Sequence, residues 1–180
     1  MNIRLVKPTD DYAEEIMSYR TEFLDNGEII HGGSMLEKYD SADGWLAHLD
    51  EFSNRCPKGF VPTDTLLAVN EDGRIVGLID CRRHIDHPVM GEYGGHIGYS
   101  VRKSERHKGY AKEMLRQALK IYCERGIGKV LVTCSAGNTA SERTILANGG
   151  VFERETTDGG GHVIKSEIRK IYETEGGRRV

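Results

Sequence analysis

The chain has 180 residues, of which 25 are Lys or Arg and 28 are Asp or Glu, so its formal net charge is −3 with histidine neutral. This length suits one domain with a hydrophobic core, and 38% hydrophobic residues is a globular composition that excludes disordered, collagen-like and disulfide-dense classes. A charge this close to zero gives no electrostatic reason to expect a nucleic acid or an anionic membrane as a partner.

The cysteines and the N-terminus indicate the expected compartment. Cys56, Cys81, Cys123 and Cys134 show no CxxC and no paired spacing, so we expect reduced thiols and no zinc site. The N-terminal segment lacks the apolar region of a signal peptide, and no run approaches the roughly 18 apolar residues that a membrane span requires. We therefore expect a cytoplasmic protein without a membrane anchor.

Hydrophobic periodicity predicts strands and helices in the order β-α-α-β-β-β-α-β-α-β-β within a single domain, 1–180. The Gly-rich and Asp-rich stretch 26–44 is expected to be a loop or a broken helix, and Asp72-Gly73 between two apolar runs indicates a β-hairpin. The tail 173–180 is expected to be disordered. In chain order we predict a strand at 2–6, helices at 11–24 and 41–52, strands at 65–70, 74–82 and 93–102, a helix at 108–125, a strand at 129–134, a helix at 138–148, and strands at 151–157 and 163–172.

One segment carries most of the chemical information. The predicted strand YGGHIGYSVR leads through Lys103-Ser104-Glu105 into RHKGYA, residues 106–111, which open the long helix. A turn that ends at a helix N-terminus brings several unpaired backbone N–H groups together with the positive end of the helix dipole, an arrangement suited to a pyrophosphate. The pattern R-x-x-G-x-A is neither a Walker A loop nor G-x-G-x-x-G, which excludes the two common nucleotide fingerprints.

The segment IGYSVRKSERHKGYAKEML, the order of elements and the later helix that ends in NGGVF resemble the GCN5-related N-acetyltransferase (GNAT) family. The stretch GGHIGYSVRKSERHKGYA is most similar to a bacterial subgroup of predicted acetyltransferases. The resemblance extends over essentially the whole chain. It implies an α/β (α+β) GNAT fold, with a mixed central sheet of about seven strands flanked by about four helices, and acetyl-CoA as co-substrate without a metal.

The resemblance also implies which residues bind acetyl-CoA. Backbone N–H groups of the 106–111 loop would receive the pyrophosphate, and Gly109 would leave room for its approach. Val101 and Lys103 would bond the pantetheine amides as an added strand does, and the Val101 N–H would hold the oxyanion. Asn138 matches the polar residue that contacts the pantetheine arm at the next helix. The cofactor-binding set is Val101, Lys103, Arg106, His107, Lys108, Gly109, Tyr110, Ala111 and Asn138.

The acceptor amine, with a pKa of about 10, must lose a proton before it attacks a thioester. His96 is the leading hypothesis for the base, because it lies on the strand that carries Val101 where many relatives have Glu, and its ordinary pKa suits the role. A structural histidine is the competing interpretation. Glu92, just before the strand, is the second candidate, and a solvated loop carboxylate is its competing interpretation.

The thiolate leaving group commonly receives its proton from a Tyr in the helix after Asn138. In this chain that position falls on Ile145, which departs from the family pattern. Ser141 is the substitute that we consider, although a serine on a helix face is often only a surface or capping group. Alternatively the thiolate leaves unassisted, since a thiol pKa of about 8.5 makes it a tolerable leaving group.

Taken together, the residues and the resemblance predict direct acetyl transfer to a primary amine of a small molecule or peptide in a ternary complex. A ping-pong mechanism is disfavoured because the cysteines have no evident base partner. Two alternatives stay open: a sensor that binds acyl-CoA without turnover, and an antibiotic-modifying enzyme whose acidic acceptor loops would include Asp25, Glu28, Asp40 and Asp43. His31-Gly32-Gly33-Ser34 is a candidate substrate loop, His84, Asp86 and His87 are weak metal candidates, and a homodimer is expected only by analogy with the family.

Overall fold

The structure is a computed structural model that describes residues 2–157 and 162–169. Its strands are β1 (Ile3–Val6), β2 (Thr63–Asn70), β3 (Ile75–Arg82), β4 (Ile97–Val101), β5 (Lys129–Ser135), β6 (Gly150–Thr157) and β7 (His162–Arg169). They form one seven-stranded sheet in the order β1-β2-β3-β4-β5-β7-β6. Every neighbouring pair is antiparallel except β4 and β5, which run parallel. The mixed seven-stranded sheet predicted from the resemblance is confirmed.

Four α-helices in the described residues cover the sheet: α1 (Ala13–Asp25), α2 (Ala42–Asn54), α3 (Tyr110–Glu124) and α4 (Thr139–Leu146). Their ends follow local capping chemistry. The Ser41 hydroxyl accepts from the Gly44 N–H at the start of α2, and Asn138 Oδ1 accepts from the Ser141 N–H at the start of α4. Gly126, at φ +74°, follows the end of α3 in the left-handed conformation that glycine adopts without strain.

The helices form two layers, one on each face of the sheet. Helices α1 and α2 bury Tyr19, Phe23 and Trp45 against Leu67 and Leu78. We call this side of the sheet the α1/α2 face. Helices α3 and α4 cover the opposite face, the α3/α4 face, with Met114, Leu115, Tyr122 and Ile145 packed against Ile79 and Val132. Because alternate residues of a strand point to opposite faces, Leu78 and its neighbour Ile79 belong to different cores.

The predicted elements agree with the structure except near the start of β4. Asp72-Gly73 forms the expected hairpin turn, with Gly73 at φ +80°. The strand predicted to begin at Tyr93 instead begins at Ile97, because residues Met90–Gly94 form a short π-helical turn. Gly95, at φ +63°, then breaks the extended backbone. Residues 170–172 of the last predicted strand and the tail 173–180 lie outside the described residues.

The parallel pair β4 and β5 diverges almost as soon as it forms. The β4–β5 ladder has a single register pair, Ile97 with Val132. By contrast, β4 pairs with β3 along the whole length of β4, from Ile97 opposite Cys81 to Val101 opposite Gly77. A backbone bond from the His96 N–H to the Leu131 carbonyl, 2.8 Å long, closes the narrow end. The sheet therefore contains a wedge-shaped opening between β4 and β5, and this opening positions the site.

Candidate active site

The edge of β4 that faces the opening carries backbone groups without a partner strand. The Arg82 N–H donates to the His96 carbonyl and the Arg102 N–H to the Val76 carbonyl. These bonds show that the even-numbered residues around β4 pair with β3. Since hydrogen bonds alternate along an antiparallel ladder, the N–H groups of Tyr99 and Val101 point the other way, into the opening. This edge offers an extended ligand the same bonds that an added strand would make.

An anion site lies directly beyond the end of this edge. Gly109, at φ +81°, is the N-cap of α3 and supplies no side-chain cap, and the first intrahelical bond runs from the Glu113 N–H to the Gly109 carbonyl. The N–H groups of Tyr110, Ala111 and Lys112 therefore have no intrahelical acceptor. His107 is also left-handed, at φ +62°, so the loop backbone turns in the way that makes concave, anion-binding sites.

Carboxylates of the α1 region hold this loop in place from its other side. Both guanidinium Nη atoms of Arg106 donate to the Glu28 carboxylate, and its Nε donates to the Val101 carbonyl at 3.0 Å. The hydrogen bond from Arg106 holds the pKa of Glu28 below its usual range. Glu22 accepts the Ser104 N–H at 2.9 Å. The side chain of Arg106 is thus a clamp on the loop, while the loop backbone remains available for a ligand.

The remaining predicted cofactor residues lie around the same opening. Lys103 is beyond the end of β4, in a 3₁₀ turn, and its Nζ donates to Asn26 Oδ1 at 2.7 Å. Lys108 pairs with the buried Glu105 at 2.8 Å, and His107 is exposed. Asn138 is exposed at the start of α4, where its Oδ1 is used as the helix cap. These residues surround the opening, and their backbone groups carry more of its binding capacity than their side chains do.

Inside the opening, a tyrosine of β4 meets a serine of α4. Tyr99 Oη and Ser141 Oγ lie 2.8 Å apart. Burial raises the pKa of Tyr99 to about 12, partly offset by the hydrogen bond with Ser141. Cys134 of β5 is buried near the same serine, and its burial raises the pKa of the thiol. Ile145, the usual tyrosine position of the family, is 1% exposed and belongs to the core.

Sequence reasoning included Ser141 and missed Tyr99, which the structure places beside it. The phenol projects from the strand, so it reaches the opening from β4 instead of from the helix where relatives carry their tyrosine. The sequence signal was available in IGYSV: Tyr99 has the same parity as Val101, so both side chains face α3 and α4.

His96 is buried at the narrow end of the opening, between β4 and β5. Its exposed fraction is 7%, its Nδ1 accepts the Leu131 N–H at 3.0 Å, and its ring meets Tyr122 edge-on. Burial lowers the pKa of His96 to about 4, so the ring is neutral at pH 7. A neutral imidazole that accepts through Nδ1 carries its proton on Nε2, which leaves it no lone pair for a second proton. In this arrangement the Nδ1 of His96 links the start of β4 to β5.

Glu92 lies on the π-helical turn before β4 and is partly exposed. Its Oε2 accepts from Arg154 at 2.7 Å, and its Oε1 accepts from Thr156 at 3.2 Å, both on β6. The Tyr93 carbonyl next to it accepts from the Thr133 hydroxyl on β5. Glu92 therefore lies beside the α1/α2 face of β5.

On the α1/α2 face, two loops border Gly98, the residue between Ile97 and Tyr99. A Cβ on Gly32 would collide with the Gly98 carbonyl, so the loop that contains His31-Gly32-Gly33-Ser34 crosses β4 at backbone contact. Ser34 anchors this loop by donating to the buried Asp80 through its N–H and its hydroxyl. On the other side, a Cβ on Gly95 would lie 2.8 Å from the Leu131 carbonyl. We call the part of the α1/α2 face that Gly32, Gly95 and Gly98 border the glycine cleft.

Other sequence candidates do not converge on a site. His84 and Asp86 are 3.8 Å apart, while the Nδ1 atoms of His84 and His87 accept backbone N–H groups. Across the described residues, no group of three or more His, Cys, Asp or Glu side chains is arranged to hold a metal ion. The four cysteines are free thiols. Among the acidic residues predicted near the acceptor loops, Glu28 pairs with Arg106 and Asp40 with Arg20. None of the helices in the described part is both long and apolar enough to cross a bilayer.

Comparisons with known proteins agree with this geometry. A sequence model described as an acetyltransferase (GNAT) domain matches residues 2–151, so the chain belongs to the GNAT acetyltransferase family and is an acyltransferase. No curated protein sequence matches it significantly.

Solved structures show the same fold at low sequence identity. The ribosomal L7/L12 α-N-protein acetyltransferase RimL in complex with coenzyme A is 16% identical with a TM-score of 0.68, covering 95% of this chain and 96% of that one. The ribosomal-protein-S5-alanine acetyltransferase from Vibrio fischeri is 16% identical with a TM-score of 0.67, covering 93% and 91%. The microcin C7 self-immunity acetyltransferase MccE, in complex with acetyl-CoA and AMP, is 17% identical with a TM-score of 0.62, covering 93% and 92%.

Proposed function

We propose that this protein transfers an acetyl group from acetyl-CoA to a primary amine by direct attack in a ternary complex. The observation that carries the proposal is one continuous surface, which runs from the unpaired N–H groups at the start of α3 to the open edge of β4. A pyrophosphate fits the first part, and an extended amide-containing arm fits the second. Complexes of similar folds with coenzyme A or acetyl-CoA support this choice of co-substrate.

The direction of β4 determines which of its backbone N–H groups meets which part of the bound arm. With the pyrophosphate at the 107–111 loop, the arm meets Val101 first and reaches Tyr99 about 7 Å further along the strand. The thioester is at the far end of the arm, so the Tyr99 N–H is better placed than the Val101 N–H to polarise its carbonyl. An N–H held by a sheet backbone stabilises the developing oxyanion without reorganisation. We therefore assign the Val101 N–H to a hydrogen bond with the pantetheine and the Tyr99 N–H to a hydrogen bond with the thioester carbonyl.

The leaving thiolate requires a proton donor, and the Tyr99–Ser141 pair supplies one. The phenol stays protonated at neutral pH because burial raises its pKa to about 12. When the carbon–sulfur bond breaks, one hydroxyl of the pair donates a proton to the sulfur and the other donates to the oxygen that remains. The cysteines are not suited to an acyl-enzyme, since burial raises the pKa of Cys81 to about 12 and also raises that of Cys134.

The amine loses its proton on the other side of the opening. Of the two predicted bases, Glu92 is a partly exposed carboxylate, whereas His96 is buried and its Nδ1 is already used by Leu131. We therefore propose that the amine transfers its proton to Glu92 through a water molecule and that His96 is a positioning residue. Attack then forms the carbon–nitrogen bond, and the products are the N-acetylamine and CoA thiol.

Calorimetric titration with acetyl-CoA, followed by assay of thiol release with polyamines, amino acids, aminoglycosides and peptides, tests the proposal. Binding with thiol release that depends on an added amine supports it. Binding without release across the panel would favour the sensor alternative. The absence of binding would remove the assignment of the 106–111 loop and the proposed function with it.

A further inference from the structure

Arg82, the last residue of β3, presents its guanidinium in the glycine cleft. Its Nη1 donates to the carbonyl oxygens of Gly94, at 3.2 Å, and Gly95, at 3.1 Å. A Cβ built on Gly98 would lie 3.6 Å from Nη2. Two carbonyl bonds and the glycine surface therefore hold this guanidinium against β4, one residue from Tyr99.

In the described residues no carboxylate forms a direct ion pair with this guanidinium, although burial raises the pKa of Asp80 and the charge of Arg82 partly offsets that rise. In residues 2–157 and 162–169, no carboxylate oxygen lies within 4.0 Å of an Arg82 nitrogen. The nearby Asp80 is already bound by Ser34 and by the Thr65 hydroxyl, at 2.6 Å. The adjacent Arg83, by contrast, makes a two-pronged pair with Asp64.

The unused donors of Arg82 remain accessible. Arg82 is partly exposed, and neither Nε nor Nη2 has a protein hydrogen-bond partner or belongs to the buried unpaired atoms of the described chain. A partly buried guanidinium with a free donor edge is suited to bind a carboxylate through paired N–H donors. The chain thus supplies a cation with prepared geometry and leaves the anion to a ligand.

The acceptor is the ligand that reaches this place. Acetyl-CoA takes the open edge of β4 from the end where α3 begins, and α4 covers the α3/α4 face beside Tyr99. The amine therefore approaches from the α1/α2 face, where the glycine cleft lies. Arg82 Nη2 would lie 3.6 Å from a Cβ on Gly98, and the peptide bond that follows Gly98 carries the Tyr99 N–H, so a short distance separates the two groups. A carboxylate on or next to the carbon that bears the amine spans such a distance.

We infer that Arg82 binds a carboxylate of the acceptor, and that the acceptor class is therefore amines with a carboxylate close to the nitrogen, free amino acids above all. This inference rests on the proposed function. A peptide N-terminus presents a neutral amide at this point and does not match the guanidinium. An acidic side chain near a peptide N-terminus offers the same chemistry from a second source, and the test separates the two.

The test compares matched acceptors in assays of CoA thiol release. Each free amino acid is paired with its decarboxylated amine, its carboxamide, and a peptide that begins with the same residue, with and without an acidic second residue. The variants are Arg82→Gln and Arg82→Lys, and Arg83→Gln is the control because it makes the same change at a neighbouring arginine bound to Asp64. Acetyl-CoA binding is measured by calorimetry in every variant.

We expect free amino acids to exceed their amines and carboxamides by about 10- to 100-fold in kcat/KM, the range for a charged hydrogen bond. Arg82→Gln abolishes this ratio, Arg82→Lys keeps part of it, and Arg83→Gln leaves it intact. A preference confined to peptides with an acidic second residue supports carboxylate binding by Arg82 and shows that the carboxylate belongs to the acidic side chain of a peptide.

Equal rates for amines without a carboxylate, a ratio that survives Arg82→Gln, or binding of acetyl-CoA with no turnover of any carboxylate-bearing amine would overturn the inference. In the first two cases the proposed function stands. Loss of acetyl-CoA binding by the unaltered protein would instead overturn the proposed function.

Discussion

Tyr99 on β4 and Ser141 on α4 share a hydrogen bond of 2.8 Å although they are 42 residues apart in the chain. The bond joins the strand that borders the opening to the first turn of the helix that covers it. The family position for a proton-donating tyrosine holds the buried Ile145. The Tyr99–Ser141 pair thus restores a hydroxyl to the opening from a different element of the fold.

Removal of either hydroxyl is predicted to slow turnover. We expect Tyr99→Phe and Ser141→Ala each to lower kcat by about 10- to 1,000-fold, the usual range for general acid catalysis and one polarised donor, with little change in acetyl-CoA affinity. The double variant should be no slower than the slower single one, because the two hydroxyls act as one relay. Thr139→Ala, which removes an exposed hydroxyl from the same helix turn, is the control. Additive losses in the double variant would show two separate roles.

The raised pKa of Tyr99 also predicts the shape of the alkaline pH profile. Burial raises this pKa to about 12, so the phenol keeps its proton across the measurable range. At saturating acceptor we therefore expect no decrease in kcat between pH 8 and pH 10 that is caused by ionisation of Tyr99. The pH profiles of the unaltered protein and of Tyr99→Phe should have the same shape in this range. A decrease in that range that is lost in the variant would mean that the phenol ionises at a much lower pH than its burial requires.

Substitution of Gly109 and of Gly126, at the two ends of α3, distinguishes the effect of backbone strain on stability from an effect on ligand binding. Both have positive φ, +81° and +74°, in the left-handed region that residues other than glycine rarely adopt. Alanine at each position should therefore cost a similar amount of stability, about 1–2 kcal/mol, which comparison of thermal unfolding measures. Only Gly109→Ala should weaken acetyl-CoA binding, because only that loop meets the pyrophosphate. Equal affinities in the two variants would contradict the assignment of the loop.

His96 is predicted to matter for stability and not for the acid limb of the rate profile. His96→Ala leaves the buried Leu131 N–H without its acceptor, at a cost of about 1–3 kcal/mol in the free energy of unfolding. His96→Gln, which keeps an acceptor, should lose less. Glu92→Gln, by contrast, should remove the acidic limb of kcat/KM. If that limb persists in Glu92→Gln and vanishes in His96→Gln, the base is His96.

Asp64 provides a pH-dependent test of the fold away from the opening. Burial opposes its ionisation, but hydrogen bonds from Arg83, Ser53 and Arg125 outweigh this and lower its pKa to about 2. A lowered pKa contributes stability that is present above the unfolded value and is lost as the pH falls toward the folded value. Asp64→Asn should therefore cost about 1–2 kcal/mol at pH 7, with allowance for solvent screening, and the difference should shrink between pH 4 and pH 2. Acid titrations of thermal unfolding, with the exposed Asp25→Asn as control, measure this.

Local chemistry explains why most of the fold was predictable. Helices α2 and α4 begin beside a capping Ser or Asn, and the β2–β3 hairpin turns at Asp72-Gly73, all of which are signals within a few residues. The start of β4 was misplaced because Tyr93 is a β-forming residue of the same parity as Ile97, Tyr99 and Val101, which extends the strand pattern toward the N-terminus. The break at Gly95 depends on its packing against Leu131, 36 positions further along the chain.

The site was predictable only where one segment supplies it. The backbone loop before α3 is contiguous in sequence and lies at a helix N-terminus as expected, while its role in acetyl-CoA binding stays a prediction. The clamp of Glu28 on Arg106 and the Tyr99–Ser141 bond join residues 78 and 42 positions apart, and neither has a local signature. The surroundings of His96 had no local signature either, because its bond with the Leu131 N–H and its burial are determined by β5, and its role in the reaction stays a prediction.

The central claim is that the loop before α3 and the open edge of β4 bind acetyl-CoA. Calorimetric titration of the unaltered protein and of Gly109→Ala with acetyl-CoA tests it most directly. The account predicts one molecule bound per chain, with clearly weaker binding by Gly109→Ala and unchanged binding by Gly126→Ala. No measurable binding by the unaltered protein, or equal binding by all three, would contradict it.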